Sequence, residues 1–167
     1  MRRILLATGA AMALFATGLT GAYAGNSAAV YQDGYYNTGT ATQQGRDNRM
    51  TSRTRGDYNY TTAKQKGRWN YLYQLQNGNR NSALTDQYGD ANYAVTGQEG
   101  SGHSSATYQT GVNNTAGTAQ IGSNHRALTD QAGSDNTAAT IQVGNGQSAE
   151  THQTGNGNVS VVIQGGD

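Results

Sequence analysis

Carboxamide side chains recur through this sequence at a spacing of eleven residues, and they are its clearest candidates for a chemical role. A glutamine marks one place in each period, with Thr54 as a substitute, and in most periods an asparagine follows five residues later. Each amide carries hydrogen-bond donors and an acceptor, so identical amides held one above another can form a ladder along a stack. The glutamines are Gln32, Gln43, Gln65, Gln76, Gln87, Gln98, Gln109, Gln120, Gln131, Gln142, Gln153 and Gln164. The asparagines are Asn26, Asn37, Asn48, Asn59, Asn70, Asn81, Asn92, Asn114, Asn136 and Asn158.

A glycine follows each glutamine place by two residues and keeps the same period. Self-similarity at a fixed period indicates one small structural unit that is stacked many times. Glycine at one fixed place in each unit predicts a turn with a backbone angle that a side chain would oppose. These turn glycines are Gly34, Gly45, Gly56, Gly67, Gly78, Gly89, Gly100, Gly111, Gly122, Gly133, Gly144 and Gly155, and the period continues at Gly166.

The unit Asn81 to Ala91 illustrates the pattern, with Asn81 as position one and Gln87 as position seven. Positions one, three, five and seven are restricted to Asn, a small residue, mostly Thr, and Gln, whereas positions two, four and six vary. Restriction of every second residue predicts a strand whose odd positions face inward. Positions eight to eleven are predicted to form a tight turn.

Two such units are expected to make one coil, because a single short strand cannot close on itself. Position six supports this pairing, since Leu75 and Ile141 occupy it in odd-numbered units while Lys64 and Asp86 occupy it in even-numbered units. The predicted fold class is all-β. It is a β-solenoid with two strands per coil (strand-turn-strand-turn), 22-residue coils and thirteen 11-residue units over residues 25–167.

Composition agrees with a chain that is strand from end to end. The sequence has no proline, which would remove donors from a β-ladder, and no cysteine that could form disulfides or thiolate metal sites. Leu, Ile, Val and Phe make only 20 of 167 residues, a level that often indicates disorder. The strict period argues against that alternative, and a formal net charge of +1 predicts no bulk attraction to nucleic acid or membranes.

The first 24 residues precede the repeats, do not follow their period and have the features of a secretory signal. Arg2 and Arg3 precede an apolar run, and Ala22 and Ala24 place small residues where a signal peptidase requires them. We expect cleavage after Ala24 and export of residues 25–167.

An unpaired buried amide costs a few kcal/mol, but a ladder of identical amides would supply each one with partners above and below. Both ends of such a stack would leave strands and amides without partners, and the uncharged last strand, Val159 to Gln164, is strongly β-prone. Two exposed, complementary ends on one subunit predict head-to-tail, non-closing association into filaments.

The pattern Gln-x-Gly-x-x-Asn-x-Ala-x-x-x-Gln, as in residues 76–87, resembles the curlin repeat of curli fibre subunits. The resemblance implies a bacterial extracellular amyloid of the biofilm matrix that serves adhesion and surface colonisation. It also implies secretion through an outer-membrane pore, periplasmic accessory factors and a companion subunit that nucleates polymerisation. The ladder glutamines and asparagines match the stacking residues of that family. Whether the chain is the main building block or a minor nucleating or anchoring subunit stays open, and a non-polymerising extracellular adhesin is the rival interpretation.

Basic residues concentrate in one stretch, where eight of the nine Lys or Arg residues after residue 24 lie between Arg46 and Arg80 and alternate with aromatic residues. Such interleaving can bind DNA or an anionic polysaccharide. The favoured interpretation is that these outward residues act as gatekeepers that keep the stretch soluble. The residues concerned are Arg46, Arg49, Arg53, Arg55, Lys64, Lys66 and Arg68. Among them, Lys64 is predicted to stack on Asp86 and Arg68 on Asp90.

His103 and His125 both occupy position one, 22 residues apart. Two ligands without supporting cysteine or carboxylate make a weak metal site, so replacement of Asn is the preferred interpretation. The sequence indicates no catalytic residues, cofactor, metal site or small-molecule substrate, and we do not expect an enzyme.

Threonine occupies position five in seven consecutive units, which raises the alternative of an ice-binding β-solenoid. Ice-binding threonines would have to face water. This alternative therefore fails if position five lies in the interior with the amides. The threonines are Thr85, Thr96, Thr107, Thr118, Thr129, Thr140 and Thr151.

Overall fold

A computed structural model describes residues 25–166, and this part of the chain is a β-solenoid of about six coils without a helix. Each 11-residue unit contributes one strand. The strands are β1 (Ser27–Asp33), β2 (Thr38–Arg46), β3 (Arg49–Arg55), β4 (Tyr60–Arg68), β5 (Tyr71–Asn79), β6 (Ser82–Asp90), β7 (Tyr93–Ser101), β8 (Ser104–Val112), β9 (Thr115–Ser123), β10 (Arg126–Ser134), β11 (Thr137–Asn145), β12 (Ser148–Asn156) and β13 (Val159–Gly166).

The strands form two parallel sheets that face each other. The odd-numbered strands, β1 to β13, form a seven-stranded sheet, which we call sheet A, and the even-numbered strands, β2 to β12, form the six-stranded sheet B. Each strand pairs with the strand two further along the chain, in a register of 22 residues, so that Gln87 lies beside Gln109. The predicted fold class and coil length are confirmed.

Alternation of side chains explains why these residues form strands. In β6 the residues Ala83, Thr85 and Gln87 are buried while their even-numbered neighbours are at least partly exposed. Small residues at position three keep the two sheets close together, so alanines such as Ala83 and Ala94 make up most of the apolar interior. The one cluster of larger buried apolar side chains in residues 25–166 is Met50 and Leu72 with Ala63.

The prediction that positions eight to eleven form the turn was wrong in its extent. Most strands run through position ten, and the period glycines lie inside them except for Gly34 and Gly56, which directly follow β1 and β3. The bend is confined to positions eleven and one. Position eleven is left-handed in nearly every unit, with φ of 57° at Ala91 and 58° at Asn113.

The signal-peptide prediction falls on residues 1–24, which lie outside the described residues. Within the described part, the structure has no helix long and apolar enough to cross a membrane.

Candidate functional site

Glutamines at position seven form two hydrogen-bonded ladders inside the solenoid. In sheet B, Gln109 receives a hydrogen bond at Oε1 from Nε2 of Gln87 and donates from its own Nε2 to Oε1 of Gln131, both at 2.9 Å. The second Nε2 hydrogen of Gln109 points across the core to the carbonyl oxygen of Tyr93, at 3.0 Å. Each of these amides therefore binds above, below and across. The glutamine-to-glutamine bonds link Gln43, Gln65, Gln87, Gln109, Gln131 and Gln153 in sheet B, and Gln76, Gln98, Gln120, Gln142 and Gln164 in sheet A.

Asparagines at position one close the turns. Oδ1 of Asn114 accepts the backbone N–H of Asn136 at 3.2 Å and its Nδ2 group at 3.0 Å. Nδ2 of Asn114 donates to the carbonyl oxygen of Gly133 in the next coil at 3.0 Å. The asparagine thus satisfies backbone groups that the bend would otherwise leave unpaired. Asparagine and glycine share one period because the asparagine Nδ2 group donates to the carbonyl oxygen of a period glycine in the next coil.

The period glycines are required by close approach as well as by conformation. Gly122 has φ of 121°, and a methyl group built on it would overlap the carbonyl oxygen of Gly144 one coil away. The period glycines thus have the positive φ that the sequence predicted for them, although they lie in strands rather than in turns.

His103 and His125 occupy asparagine places and make the corresponding contacts. Their rings stack with centroids 5.0 Å apart and an interplanar angle of 7°. Nδ1 of His103 lies 3.3 Å from the backbone nitrogen of His125, and Nε2 lies 3.0 Å from the carbonyl oxygen of Glu99. Burial lowers the pKa of His103, and the nearby His125 adds to that effect. Because both ring nitrogens are engaged with the backbone, neither is directed at an open coordination position.

Thr54 interrupts the ladder of sheet A. Its hydroxyl lies 3.3 Å from Oε1 of Gln76, which also accepts a bond of 2.6 Å from Thr61 of the facing sheet. Below the interruption, Nε2 of Gln32 is buried without a partner. A further buried amide, Gln74 at position five, was missed among the candidate residues; its odd position in the unit was the available signal.

The threonines at position five are buried, from Thr85 at 0% exposure to Thr151 at 5%. The condition for the ice-binding alternative therefore fails. Several of these hydroxyls, including those of Thr129 and Thr140, have no hydrogen-bond partner, whereas Oγ1 of Thr85 accepts a bond of 2.9 Å from Gln74.

The basic side chains lie on the outer faces, and most of them contact neighbours in the adjacent coil. Arg68 pairs with Asp90 at 2.6 Å and Lys64 with Asp86 at 3.8 Å. The bonds from Arg68 lower the pKa of Asp90, while burial raises that of Asp86. The other contacts pair Arg55 with Asp33, and place Arg53 over the ring of Tyr31 and Lys66 over that of Tyr88. Arg46 and Arg49 form no salt bridge within residues 25–166.

The ladders end without partners at the C-terminal end of the described solenoid. Gln153 and Gln164 donate from Nε2 only to backbone oxygens across the core, so each keeps one unused Nε2 hydrogen. Oε1 of Gln147 is buried without a partner. Oδ1 of Asn158 accepts no hydrogen bond from residues 25–166. This end therefore offers glutamine donors and position-one acceptors.

The N-terminal end offers the opposite set. Nε2 of Gln43 donates to Gln65 and to the backbone, but its Oε1 accepts nothing within the described residues. The backbone N–H of Asn37 likewise lacks the amide oxygen that serves Asn59 one coil later. The two ends are thus chemically complementary to each other: the unused donors of one end match the unused acceptors of the other.

Within residues 25–166 the structure holds no group of three or more His, Cys, Asp or Glu side chains that could bind a metal ion. The chemistry that the site supports is hydrogen bonding between like strands.

A family model described as the curlin associated repeat matches residues 24–51 and 78–111. The first match covers β1, β2 and the start of β3, and the second covers β6, β7 and most of β8. Comparison with characterised proteins and with solved structures gave no match.

Proposed function

We propose that this chain, which belongs to the curlin-repeat family, is a structural subunit that polymerises head to tail into extracellular amyloid fibres. Proteins of this family are structural rather than enzymatic, and they are extracellular subunits of curli. The observation that carries the proposal is the pair of open, complementary ends of the amide ladders.

Addition of a second copy would continue the interactions that hold one coil to the next. Every internal glutamine step contributes a side-chain hydrogen bond of 2.7–2.9 Å together with backbone pairing between parallel strands. Most amides at the open ends are partly exposed in the monomer, and each hydrogen bond that they form on docking contributes about 0.5–1.5 kcal/mol. Filament growth follows because the contact is heterologous and does not close.

In this proposal the fibre forms part of a bacterial biofilm matrix and serves adhesion and surface colonisation. Export would proceed by a signal peptide at residues 1–24 and an outer-membrane pore with periplasmic accessory factors, and growth would start on a companion nucleating subunit. The internal pairing of Arg55, Lys64 and Arg68 supports a gatekeeper role for the basic stretch over binding of DNA or polysaccharide.

A second candidate role is that of a minor nucleating or anchoring subunit. The observation that favours it is the break in the sheet A ladder at Thr54, which makes the N-terminal coils less regular than the rest. Seeding experiments in which this chain and its companion are added in turn would separate the two roles.

The proposal is tested with the purified chain without residues 1–24. We expect a lag phase, growth of dye-binding fibres visible by electron microscopy, and a meridional reflection near ~4.8 Å from aligned fibres. A protein that stays monomeric at high concentration would favour a non-polymerising adhesin and reject the fibre.

A further inference from the structure

We propose that successive subunits along the fibre are related by a half turn about the fibre axis, so that β1 of each new copy pairs with β12 of the previous copy. Its β2 then pairs with β13. This inference rests on the proposed polymer and specifies the interface within it.

The heights of the strands at the two ends give the first step. Consecutive strands lie in opposite sheets, and each pairs with the strand two positions later, so neighbouring units are offset by half a strand spacing, about 2.4 Å. At the C-terminal end of the described solenoid, β13 is the last strand of sheet A and β12 is the last strand of sheet B. Along the solenoid axis, β12 ends half a strand spacing before β13. The next strand of a continuous solenoid would therefore pair with β12.

The number of strands gives the second step. Residues 25–166 form thirteen strands, which is an odd number, so the strand that would follow β13 belongs to sheet B. In an incoming copy the first strand, β1, belongs to sheet A of that copy. Its sheet A must therefore continue sheet B of the previous subunit, which requires the half turn. A subunit with an even number of strands would stack without rotation.

Hydrogen bonding distinguishes this arrangement from direct stacking of β1 on β13. With the half turn, both glutamine donors and both position-one acceptors at the C-terminal end meet their counterparts. Direct stacking leaves a gap of one strand in sheet B, with Gln147 and Gln153 unpaired. The half-turn pairs, previous copy first, are Gln153 with Gln32, Gln164 with Gln43, Gln147 with Asn26, and Asn158 with Asn37.

The same groups fix the polarity of the fibre. Unused glutamine Nε2 hydrogens lie at the C-terminal end and unused glutamine oxygens at the N-terminal end. The position-one amides are arranged in the reverse sense. Docking of two like ends would set their edge strands antiparallel, so the parallel, in-register ladders of like residues would not continue across the contact.

The half turn also determines on which side of the fibre each subunit places the outer face of its sheet A. Ile141, Val161 and Ile163 project from the outer face of sheet A and are exposed by 38%, 61% and 71%. Along the fibre this apolar surface would alternate between opposite sides at intervals of about 31 Å, the height of thirteen half-coils.

Cysteine cross-linking tests the inference, because the chain has no cysteine of its own. Ala29, Glu150 and Val161 all occupy outward position four, in β1, β12 and β13. In the variant Ala29→Cys/Glu150→Cys, the half turn brings the two thiols of neighbouring copies to adjacent strands, about 5 Å apart. In the matched control Ala29→Cys/Val161→Cys, the thiols lie on opposite sheets. Within one subunit neither pair is in contact, so every cross-link joins two copies.

Fibres of each variant are treated with dibromobimane, which bridges thiols at short range, and are dissolved for electrophoresis. We expect covalent multimers from Ala29→Cys/Glu150→Cys and loss of multimers in the control. Multimers only in the control, or in neither variant although fibres form, would overturn the half turn and leave the polymer standing. Absence of fibres in the unsubstituted chain would overturn the proposed function and the half turn together. Electron cryo-microscopy of unsubstituted fibres provides the check that needs no substitution: a rise of about 31 Å with a rotation near a half turn supports the inference, and a rotation near zero contradicts it.

Discussion

Gln109 and Gln131 face the interior of the solenoid one coil apart and are joined by a hydrogen bond of 2.9 Å from Nε2 to Oε1. Because Gln109 also bonds to Gln87 below it and to the backbone of Tyr93 across the core, its side chain connects three neighbouring strands. The solenoid interior is therefore held by directional polar contacts as well as by burial of apolar surface. Register follows from these contacts, since a one-residue slip would turn every amide outward.

Replacement of Gln109 by leucine should destabilise the soluble monomer. The substitution roughly preserves side-chain size but leaves Oε1 of Gln131 without a partner and removes one of the two hydrogen bonds from Nε2 of Gln87, at a cost of roughly 2–5 kcal/mol. Denaturant unfolding of freshly prepared monomer measures the effect. The control is Thr110→Leu at the next, exposed position, which should change stability little. Equal stability of the two variants would contradict the ladder as a source of stability.

Replacement of Gly122 by alanine should be far more damaging than replacement of Gly117. Gly122 has φ of 121° and lies against the backbone of Gly144, so a methyl group forces both a strained conformation and a shift of the next coil. Gly117 has no atom within 4 Å of the added methyl group. We expect Gly122→Ala to lose about 3 kcal/mol or more. Gly117→Ala should be neutral or slightly stabilising, as measured by denaturant midpoints.

Replacement of Thr129 by valine should stabilise the monomer. The Thr129 hydroxyl is buried without a partner, and valine has nearly the same shape without the polar group, so a gain of about 1 kcal/mol is expected. Thr85→Val is the matched control, because the Thr85 hydroxyl accepts a hydrogen bond from Gln74 and its loss should destabilise. Effects of the same sign in both variants would show that the unpaired hydroxyls have been wrongly assigned.

Replacement of His103 by asparagine should make the fold less sensitive to acid. Burial lowers the pKa of His103 in the folded chain below the usual value of 6.5. The stability that this histidine contributes is therefore fully present above about pH 6.5 and is lost as the pH falls through the lower folded-state pKa. Asparagine provides the same donor and acceptor without a titration, so stability of His103→Asn should fall less between pH 7 and pH 5.

His152 provides a control for the direction of the pH dependence, because its pKa is shifted the opposite way. A hydrogen bond to Glu150 raises the pKa of His152, with smaller contributions from the charges of Glu150 and Asp130. Its contribution is present below about pH 6.5 and is lost as the pH rises through the raised folded-state pKa. His152→Asn should therefore not reduce sensitivity to acid, and an equal effect of both variants would contradict the assignment to His103.

The sequence predicted the strands, their inward faces and the 22-residue coil because the residues restricted at odd positions are repeated thirteen times. Asn81, Ala83, Thr85 and Gln87 are all fully buried, as period two requires. The extent of the turn was not predictable in this way. Gly89 resembles a turn residue in sequence, but it stays in the strand because its missing side chain lets the next coil approach.

Details that depend on contacts between coils were also beyond the pattern. Thr54 is visible in the sequence as an irregularity at a glutamine place. That it leaves Nε2 of Gln32 without an acceptor could not be predicted, because the direction in which the ladder amides donate is seen only in the structure. The role of asparagine was only partly foreseen, since its Oδ1 serves the backbone of the next coil as well as the next amide. Gln74 was overlooked because it stands at position five, where other units carry threonine.

The growth rate of seeded fibres built from end-substituted subunits tests most directly whether the open amides drive assembly. Gln153→Glu/Gln164→Glu keeps the oxygen that accepts from within the subunit but removes the Nε2 donors that a following copy needs, together with their bonds to the carbonyl oxygens of Thr137 and Ser148. The control is Gln32→Glu, because Nε2 of Gln32 has no partner to lose and the carboxylate still accepts. If the amide ladders continue between subunits, the double variant should elongate seeds far more slowly than the control. Equal elongation by both would contradict the account.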